Sequence, residues 1–421
     1  MVLISILTIM VLLIMLISEY QRTEIASPLF AFCGIWIIVL SLYSLRLYDI
    51  FTIGTDTAWL IFAGLASFVL GYLFVRKIKI AYHAENVTPN WFLLNMICAI
   101  IIAISFPYYM SSLRTMLSGG IGPAAYKLLI VTGEADSGNF VIQYIVRPFE
   151  YLIMGMSAYV FSKSIKKRFI SFSGVYICAI KFFTSGSKAA ILYYGIALLL
   201  ALFNNNEHID YFKKRSHISG TKKIAIVCVG IAFCASVISA AGDFFKPVYT
   251  YLVGCIPLLD QVLHNSFYFN GTYLHGWLSF NGIARFFLNI AELFGVSLAP
   301  LGFNQAASII ERFEYTAQIA SDIKYNAFTT FLSNFYIDFG FFGTILASFI
   351  FGGSVCYIYR RYKQDTSVTR YAQLALIFYM VIFSIVRFQL SHTVIAMAFI
   401  YSIILIPLCN IKFTFGGKGR W

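Results

Sequence analysis

Charge is scarce in this chain. Asp, Glu, Lys and Arg together make up 12% of its 421 residues, about half the share expected of a soluble domain. That is too little to hydrate a globular surface, so soluble classes are excluded. Recognisable soluble-enzyme motifs are missing too. There is no P-loop, G-x-S-x-G, H-E-x-x-H or paired C-x-x-C, which removes the familiar nucleotide-binding, hydrolase and zinc-site readings. No D-x-D lies outside the apolar runs and no metal-ligand cluster is visible, so neither a metal nor another cofactor is expected. Cysteine is present but unusable as a framework. Of eight residues, only Cys255 falls outside an apolar run, and no set of bridges can be built from that.

What fills the chain instead is apolar. Hydrophobic residues reach 60% and mean hydropathy is +0.79. A spanning helix needs roughly 20 apolar residues. Suitable runs occur at 2–18, 27–45, 58–75, 91–106, 148–161, 169–183, 188–203, 224–241, 339–359, 371–386 and 392–409. The expected fold is therefore an all-α polytopic membrane bundle of about eleven helices (10–12), a single domain over 1–421. The first run has no positive stretch before it and no small-residue cleavage site after it, so it reads as a retained span.

Acidic residues number 18 against 31 Lys+Arg, a net charge of +13. On an apolar chain this reads as the positive-inside bias rather than as a nucleic-acid footprint. RKIK at 76–79, KSIKKR at 163–168, KKRSHISGTKK at 213–223 and RRYK at 360–363 are assigned to the cytoplasm. With 19–26 and the C-terminal segment, that side carries 20 Lys/Arg against 10 on the other. The N-terminus is then periplasmic and the C-terminus cytoplasmic.

Two outer connections are long, 107–147 and 242–338, and long loops are commonly functional. The second holds an amphipathic pattern: Ile283, Phe286, Phe287, Ile290, Leu293 and Phe294 on one face, and Arg285, Asn289 and Glu292 on the other. Two readings stand open. One is a helix packed on the bundle with its polar face in solvent. The other is a helix lying at the outer interface with Arg285 turned to a site. A weaker pattern runs through Ile309, Phe313, Ala320 and Ile323.

Ionisable residues at membrane depth are costly and default to function. Here they gather at the outer ends of the expected spans. Arg147 and Glu150 begin the fifth, on one helical face. Lys181 ends the sixth and Lys188 opens the seventh after the turn TSGS. Asp338 begins the ninth, Arg387 ends the tenth and His392 starts the eleventh. Two lysines so close repel unless an anion lies near. Bland roles remain open for each residue: snorkelling for the arginines, pairing of Glu150 with Arg147, helix capping by Asp338. The expected midplane is nearly free of charge, which favours chemistry at the outer surface over transport through the middle.

The stretch NAFTTFLSNFYIDFGFFGTILASFIFG, 326–352, resembles the Wzy-type oligosaccharide repeat-unit polymerases, which carry a Y-x-D-F-G-x-x-G pattern entering a late span. Here those positions are Tyr336, Asp338, Phe339, Gly340 and Gly343. SPLFAFCGIWIIVLSLYSLRLYDI, 27–50, is similar to that family's early spans. TSGSKAAIL, 184–192, is similar to a family segment that often has Arg where this chain has Lys188. Lys lacks the bidentate fork that Arg offers phosphate.

The resemblance implies an O-antigen or related surface-polysaccharide polymerase of the bacterial inner membrane. It would act on polyprenyl-pyrophosphate-linked oligosaccharide in the bilayer, alongside a flippase and a chain-length regulator of the same pathway. Such a transfer needs cations for the leaving pyrophosphate and a base for the acceptor hydroxyl. Arg147, Lys188, Arg285 and Arg387 are candidates for the first task, and Glu150, Asp338 and His392 for the second. A related glycan ligase, a lipid-linked oligosaccharide flippase, and a glycosyltransferase using polyprenyl-monophosphate sugar remain alternatives. Asp49 and Asp56 in the first outer loop suit the last of these.

Overall fold

The computed structural model describes residues 2–79, 89–122, 138–205 and 245–409, apart from positions 23, 25, 164, 166, 167, 186, 187, 299, 314, 315, 327 and 328; of 123–137 it describes 125, 126 and 129. The chain is predominantly helical. The described helices are α1 (Val2–Gln21), α2 (Pro28–Ser44), α3 (Thr55–Lys77), α4 (Trp91–Gly119), α5 (Arg147–Ser162), α6 (Arg168–Ser185), α7 (Lys188–Asn205), α8 (Phe245–Val253), α9 (Cys255–His264), α10 (Asn281–Leu293), α11 (Leu301–Arg312), α12 (Phe331–Gln364), α13 (Val368–Ile382) and α14 (Thr393–Leu408). Among the described residues, five stretches are long and apolar enough to cross a membrane: Leu3–Gln21, Thr55–Lys77, Trp91–Gly119, Phe331–Gln364 and Val368–Ile385. Pro28–Ser44, Phe169–Thr184, Lys188–Phe203 and Thr393–Leu405 are shorter apolar helices. The expected run 224–241 and the basic segment 213–223 lie outside the described residues.

Two expected boundaries are corrected. α4 runs to Gly119, not to 106, with Pro107 inside it. Its 29 residues span about 43 Å at 1.5 Å per residue, more than a hydrocarbon core of roughly 30 Å. The connection expected over 107–147 is therefore helical at its start. Likewise α12 starts at Phe331 rather than 339 and continues to Gln364. The connection 242–338 carries α8 to α11 and one element not anticipated, an antiparallel ladder of β1 (Thr316–Gln318) and β2 (Lys324–Asn326), with Ala317 opposite Tyr325. The weak pattern through Ile309, Phe313, Ala320 and Ile323 is thus split. Ile309 lies on α11, whereas Ala320 and Ile323 are buried at the turn of this hairpin.

The chain forms two compact units. The first comprises Met1–Ile80, Asn206–Arg360 and Ile377–Met397. Its core is aromatic. Phe32 of α2 stacks on Phe68 of α3 at 3.8 Å, Phe331 meets Phe32 and Trp36 edge-on, and the Trp36 indole N–H donates to Ser384 Oγ at 3.0 Å. α3 and α12 cross backbone to backbone. A Cβ on Gly71 would strike the Phe349 carbonyl, and one on Gly352 the Phe68 carbonyl, a small-residue crossing of the kind that membrane helices favour. At one end of these helices the buried Glu19 accepts from Arg76 and from Ser27 (2.9 Å), and Arg76 also reaches Glu24 at 3.1 Å. The second unit comprises Ala81–Asn205, Arg361–Leu376 and Ala398–Trp421. α5 is its hub. Tyr159 at its C-terminal end donates to the Thr366 carbonyl at 2.6 Å, and Tyr371 donates to the Ala197 carbonyl of α7.

On α10 only Asn281 and Gly282 are buried, and Phe287, Leu293 and Phe294 are exposed. Ile283, Phe286 and Ile290 of the same face are half-buried, so the helix packs on the protein by its first turn and the middle of its apolar face and leaves the flanks of that face exposed.

Candidate functional site

In the second unit the ionisable residues of α5 and α6 meet at one level. α5 begins at Arg147 and α6 ends at Ser185. Glu150 and Lys181 each lie one turn inside those neighbouring ends. The Lys181 ammonium sits 2.5 Å from Glu150 Oε2. Tyr109 of α4 donates its hydroxyl to the same carboxylate, 2.9 Å from each oxygen. Glu150 is fully buried, and Lys181 and Tyr109 are nearly so. Lys181 also stands 5.2 Å from the ring centre of Tyr151. Arg147 turns to the neighbouring tyrosine of α4, donating to Tyr108 Oη at 3.0 Å, with its guanidinium carbon 5.7 Å from that ring centre.

The backbone entering this cluster is wound as a π-helix over Ile142–Val146, a local widening that recurs at functional sites. Asn139 Oδ1 accepts from the Ile142 N–H at 3.0 Å, and Gln143 donates to the Gly138 carbonyl at 2.8 Å. Tyr401 holds the other side, donating to the Tyr144 carbonyl at 2.8 Å and stacking on Phe149 at 4.9 Å. The trio Arg147, Glu150 and Lys181 therefore sets two cations against one carboxylate on a braced frame. A Lys–Glu pair out of water gains stability only if its remaining valences are hydrogen-bonded. Tyr109 meets that condition for Glu150.

The anion required by the Lys181–Lys188 hairpin is Glu150. Arg147 and Glu150 share a helical face as expected, yet Glu150 pairs with Lys181 rather than with Arg147. Lys188 is exposed at the first position of α7. The preceding Gly186 and Ser187 lie outside the described residues. Tyr108 and Tyr109 escaped the sequence reading. Their only signal was a polar-tipped pair following Pro107 in an otherwise apolar helix.

Asp338 lies differently from what was expected. It does not open a helix but sits seven residues inside α12, fully buried, two residues before Gly340 at φ 71°. Only glycine adopts that conformation readily. The break releases two carbonyls from the helical ladder, and the connection between α9 and α10 takes them up. Leu274 N–H donates to the Ile337 carbonyl at 3.1 Å, and His275 N–H to the Asp338 carbonyl at 3.0 Å. The Asp338 carboxylate returns the favour, accepting from the Leu278 and Ser279 N–H groups at 3.0 and 2.7 Å. The Y-x-D-F-G pattern is thus a clamp that seats this loop on a kinked helix. Asp338 is corrected from helix cap to backbone anchor, with each of its oxygens accepting from a buried N–H of this loop.

Within the first unit the structure also joins Arg285 and His392 through their elements. The first turn of α10, which carries exposed Arg285, presses on the turn at 390–393, where His392 is exposed. Arg387 is half-buried just after the tight turn Phe383–Ile385.

A third cluster was not anticipated. Asp56 at the start of α3 meets α9, with Asp56 Oδ2 2.8 Å from His264 Nε2. His264 Nδ1 lies 2.8 Å from the Asp260 carbonyl. Asp260 Oδ1 accepts from Gly54 N–H at 2.7 Å and from Thr57 Oγ1 at 2.5 Å. Among the described residues, Asp56, Asp260 and His264 are the group whose ligand atoms, all within 4.8 Å of one another, could hold a metal. Both ring nitrogens face oxygens that only accept, so a cation is needed between His264 and Asp56, and a proton satisfies that need. The Asp260 carbonyl at Nδ1 does most to raise the His264 pKa above its ordinary value, with the Asp56 carboxylate adding to it.

No family model matches the chain, and no curated protein or solved structure matches it either.

Proposed function

We propose that the chain is a membrane glycosyltransferase of the bacterial inner membrane. In this reading it polymerises polyprenyl-pyrophosphate-linked oligosaccharide repeat units at the periplasmic face, without a metal. The observation that carries the proposal is the Arg147–Glu150–Lys181 cluster at adjoining helix ends, with Glu150 and Lys181 buried one turn inside and Arg147 half-buried at the first position. It supplies preorganised positive charge at a depth where a lipid-anchored pyrophosphate would present its head group. In the reaction the anomeric C–O bond to pyrophosphate breaks and a bond forms from the acceptor oxygen to that carbon. The hydroxyl proton passes to a base, and polyprenyl pyrophosphate leaves with the electron pair. Charge grows on the leaving group in the transition state, so fixed cations act on rate as well as on affinity.

In this scheme Glu150 positions Lys181 rather than taking a proton, since its carboxylate is occupied by Lys181 and Tyr109. Lys188 and Arg147 offer cations to phosphate. The Asp338–Gly340 clamp gives the spacing of this Wzy-like segment a physical purpose within this chain.

The test is the length of glycan on cells lacking the protein. Single repeats capped on lipid support a polymerase. No attached glycan at all would point to a ligase or flippase, and unchanged polymer would end the proposal. In complemented cells, Arg147→Ala and Lys188→Ala should leave mainly single repeats at equal protein level, a loss of roughly 10²–10³ in rate by analogy with oxyanion-hole donors. Lys188→Arg should retain much of the activity.

A further inference from the structure

Among the described residues, a large exposed apolar surface outside the spans lies on α10 and the segment that follows it. Phe287 is 59% exposed, Leu293 67%, Phe294 81%, Leu298 56% and Leu301 74%. A loop in water would not keep five large side chains so open, because apolar area left in water is unfavourable in proportion to its size. The helix is sorted by face. Arg285, Asn289 and Glu292 take the side opposite the apolar stripe, as in helices that lie flat in a lipid interface.

Its position in the first unit identifies the covering material. The N-terminal turn of α10 is pinned at two places. A Cβ on Gly282 would lie 2.7 Å from the His392 carbonyl carbon and from Thr393 N, so α10 starts in contact with the turn that joins the apolar helices α13 and α14. Just before it, Leu278 and Ser279 are bound to Asp338. One turn past Asp338 along α12, the side chains Phe342, Leu346 and Ile350 begin an exposed apolar strip, 83%, 61% and 57% exposed, on a helix long enough to span. That strip is the lipid-facing side of a span. α10 therefore leaves the protein at the level where lipid contact begins, and its exposed Phe287, Leu293 and Phe294 continue the same surface. We propose that α10 and its continuation to Leu301 lie within the lipid monolayer at this end of the spans. Phe287, Leu293, Phe294 and Leu298 then sit among acyl chains, with Arg285 and Glu292 at the head-group side. This inference needs only that the chain spans a membrane and does not rest on the proposed reaction.

The test uses full-length protein in lipid nanodiscs, with native cysteines replaced and single nitroxides placed at 292, 294 or 298. The accessibility of each to oxygen, which partitions into acyl chains, is compared with that to a water-soluble nickel chelate. Positions 294 and 298 should be several-fold more accessible to oxygen than to nickel, and 292 should show the reverse. Equal nickel access at all three would overturn the proposal by placing α10 in water. Protection of 294 and 298 from both reagents, with dipolar broadening between labels, would overturn it in favour of a second copy of the chain. Retention of a monodisperse elution profile for each labelled protein ties the outcome to the folded state.

Discussion

Glu150 and Asp338 are both fully buried carboxylates, and they are held in opposite ways. Asp338, in the first unit, is satisfied by backbone N–H groups of a connecting loop. Glu150, in the second, is satisfied by the side chains of Lys181 and Tyr109 from two other helices. Backbone donors cannot move away without unfolding the loop, so Asp338 is committed to architecture. Side-chain donors can exchange partners, and a lysine held by one carboxylate can turn part of its charge to an incoming anion. Burial alone therefore does not tell whether a carboxylate's partners can exchange. The identity of its donors does.

The contrast can be broken most forcefully at Asp338. Asp338→Ala leaves the Leu278 and Ser279 N–H groups buried without acceptors, and should cost about 2–6 kcal/mol, from roughly 1–3 kcal/mol for each orphaned group. Thermal unfolding in detergent measures it, and Asp338→Asn should recover only part, since its amide presents one donor to a donor. Next comes Lys181→Met, which strands the Glu150 charge and should cost about 3–5 kcal/mol. Adding Glu150→Gln should restore most of that stability without restoring activity. If the double variant polymerises normally, the pair is only structural. Tyr109→Phe should be milder, about 1–2 kcal/mol, because Glu150 keeps Lys181 while losing one hydrogen bond.

The smallest effect concerns pH and His264. Its pKa is raised in the folded state, so its stabilising contribution is fully present below the unfolded value, near pH 6.5, and disappears as pH rises through the folded value. His264 is half exposed and Asp56 more so, which keeps the effect small. The melting-temperature advantage of the wild type over His264→Gln should shrink between about pH 6 and pH 9. A constant difference would mean that the imidazolium is not what links Asp56 to α9.

The placement of the membrane helices was largely legible beforehand, because apolar runs and basic flanks are properties of composition along the chain. Ten of the eleven expected runs coincide with described helices. The ends were less legible. α4 and α12 overrun their apolar windows because a helix continues past the membrane wherever its backbone bonds and neighbours allow it, and hydropathy does not register that. Lys181 was visible as a lone cation in an apolar run, and its need for an anion was clear. Which anion could not be read, because Arg147 and Lys181 were both within plausible reach of Glu150. Tyr108, Tyr109, Asp260 and His264 had no distinguishing pattern, since their roles exist only where helices distant in sequence come together.

By itself, then, the sequence determined that this chain is helical and apolar, that charge is scarce in its apolar runs, and that residues 281–294 form a two-faced helix. These follow from local periodicity and from the cost of putting charge in hydrocarbon. Tertiary structure alone decided that Asp338 clamps a loop, that Glu150 belongs to Lys181, and that Phe287, Leu293 and Phe294 of α10 stay exposed. Each is a matter of which groups, far apart in the chain, are left within hydrogen-bonding distance once the helices have packed.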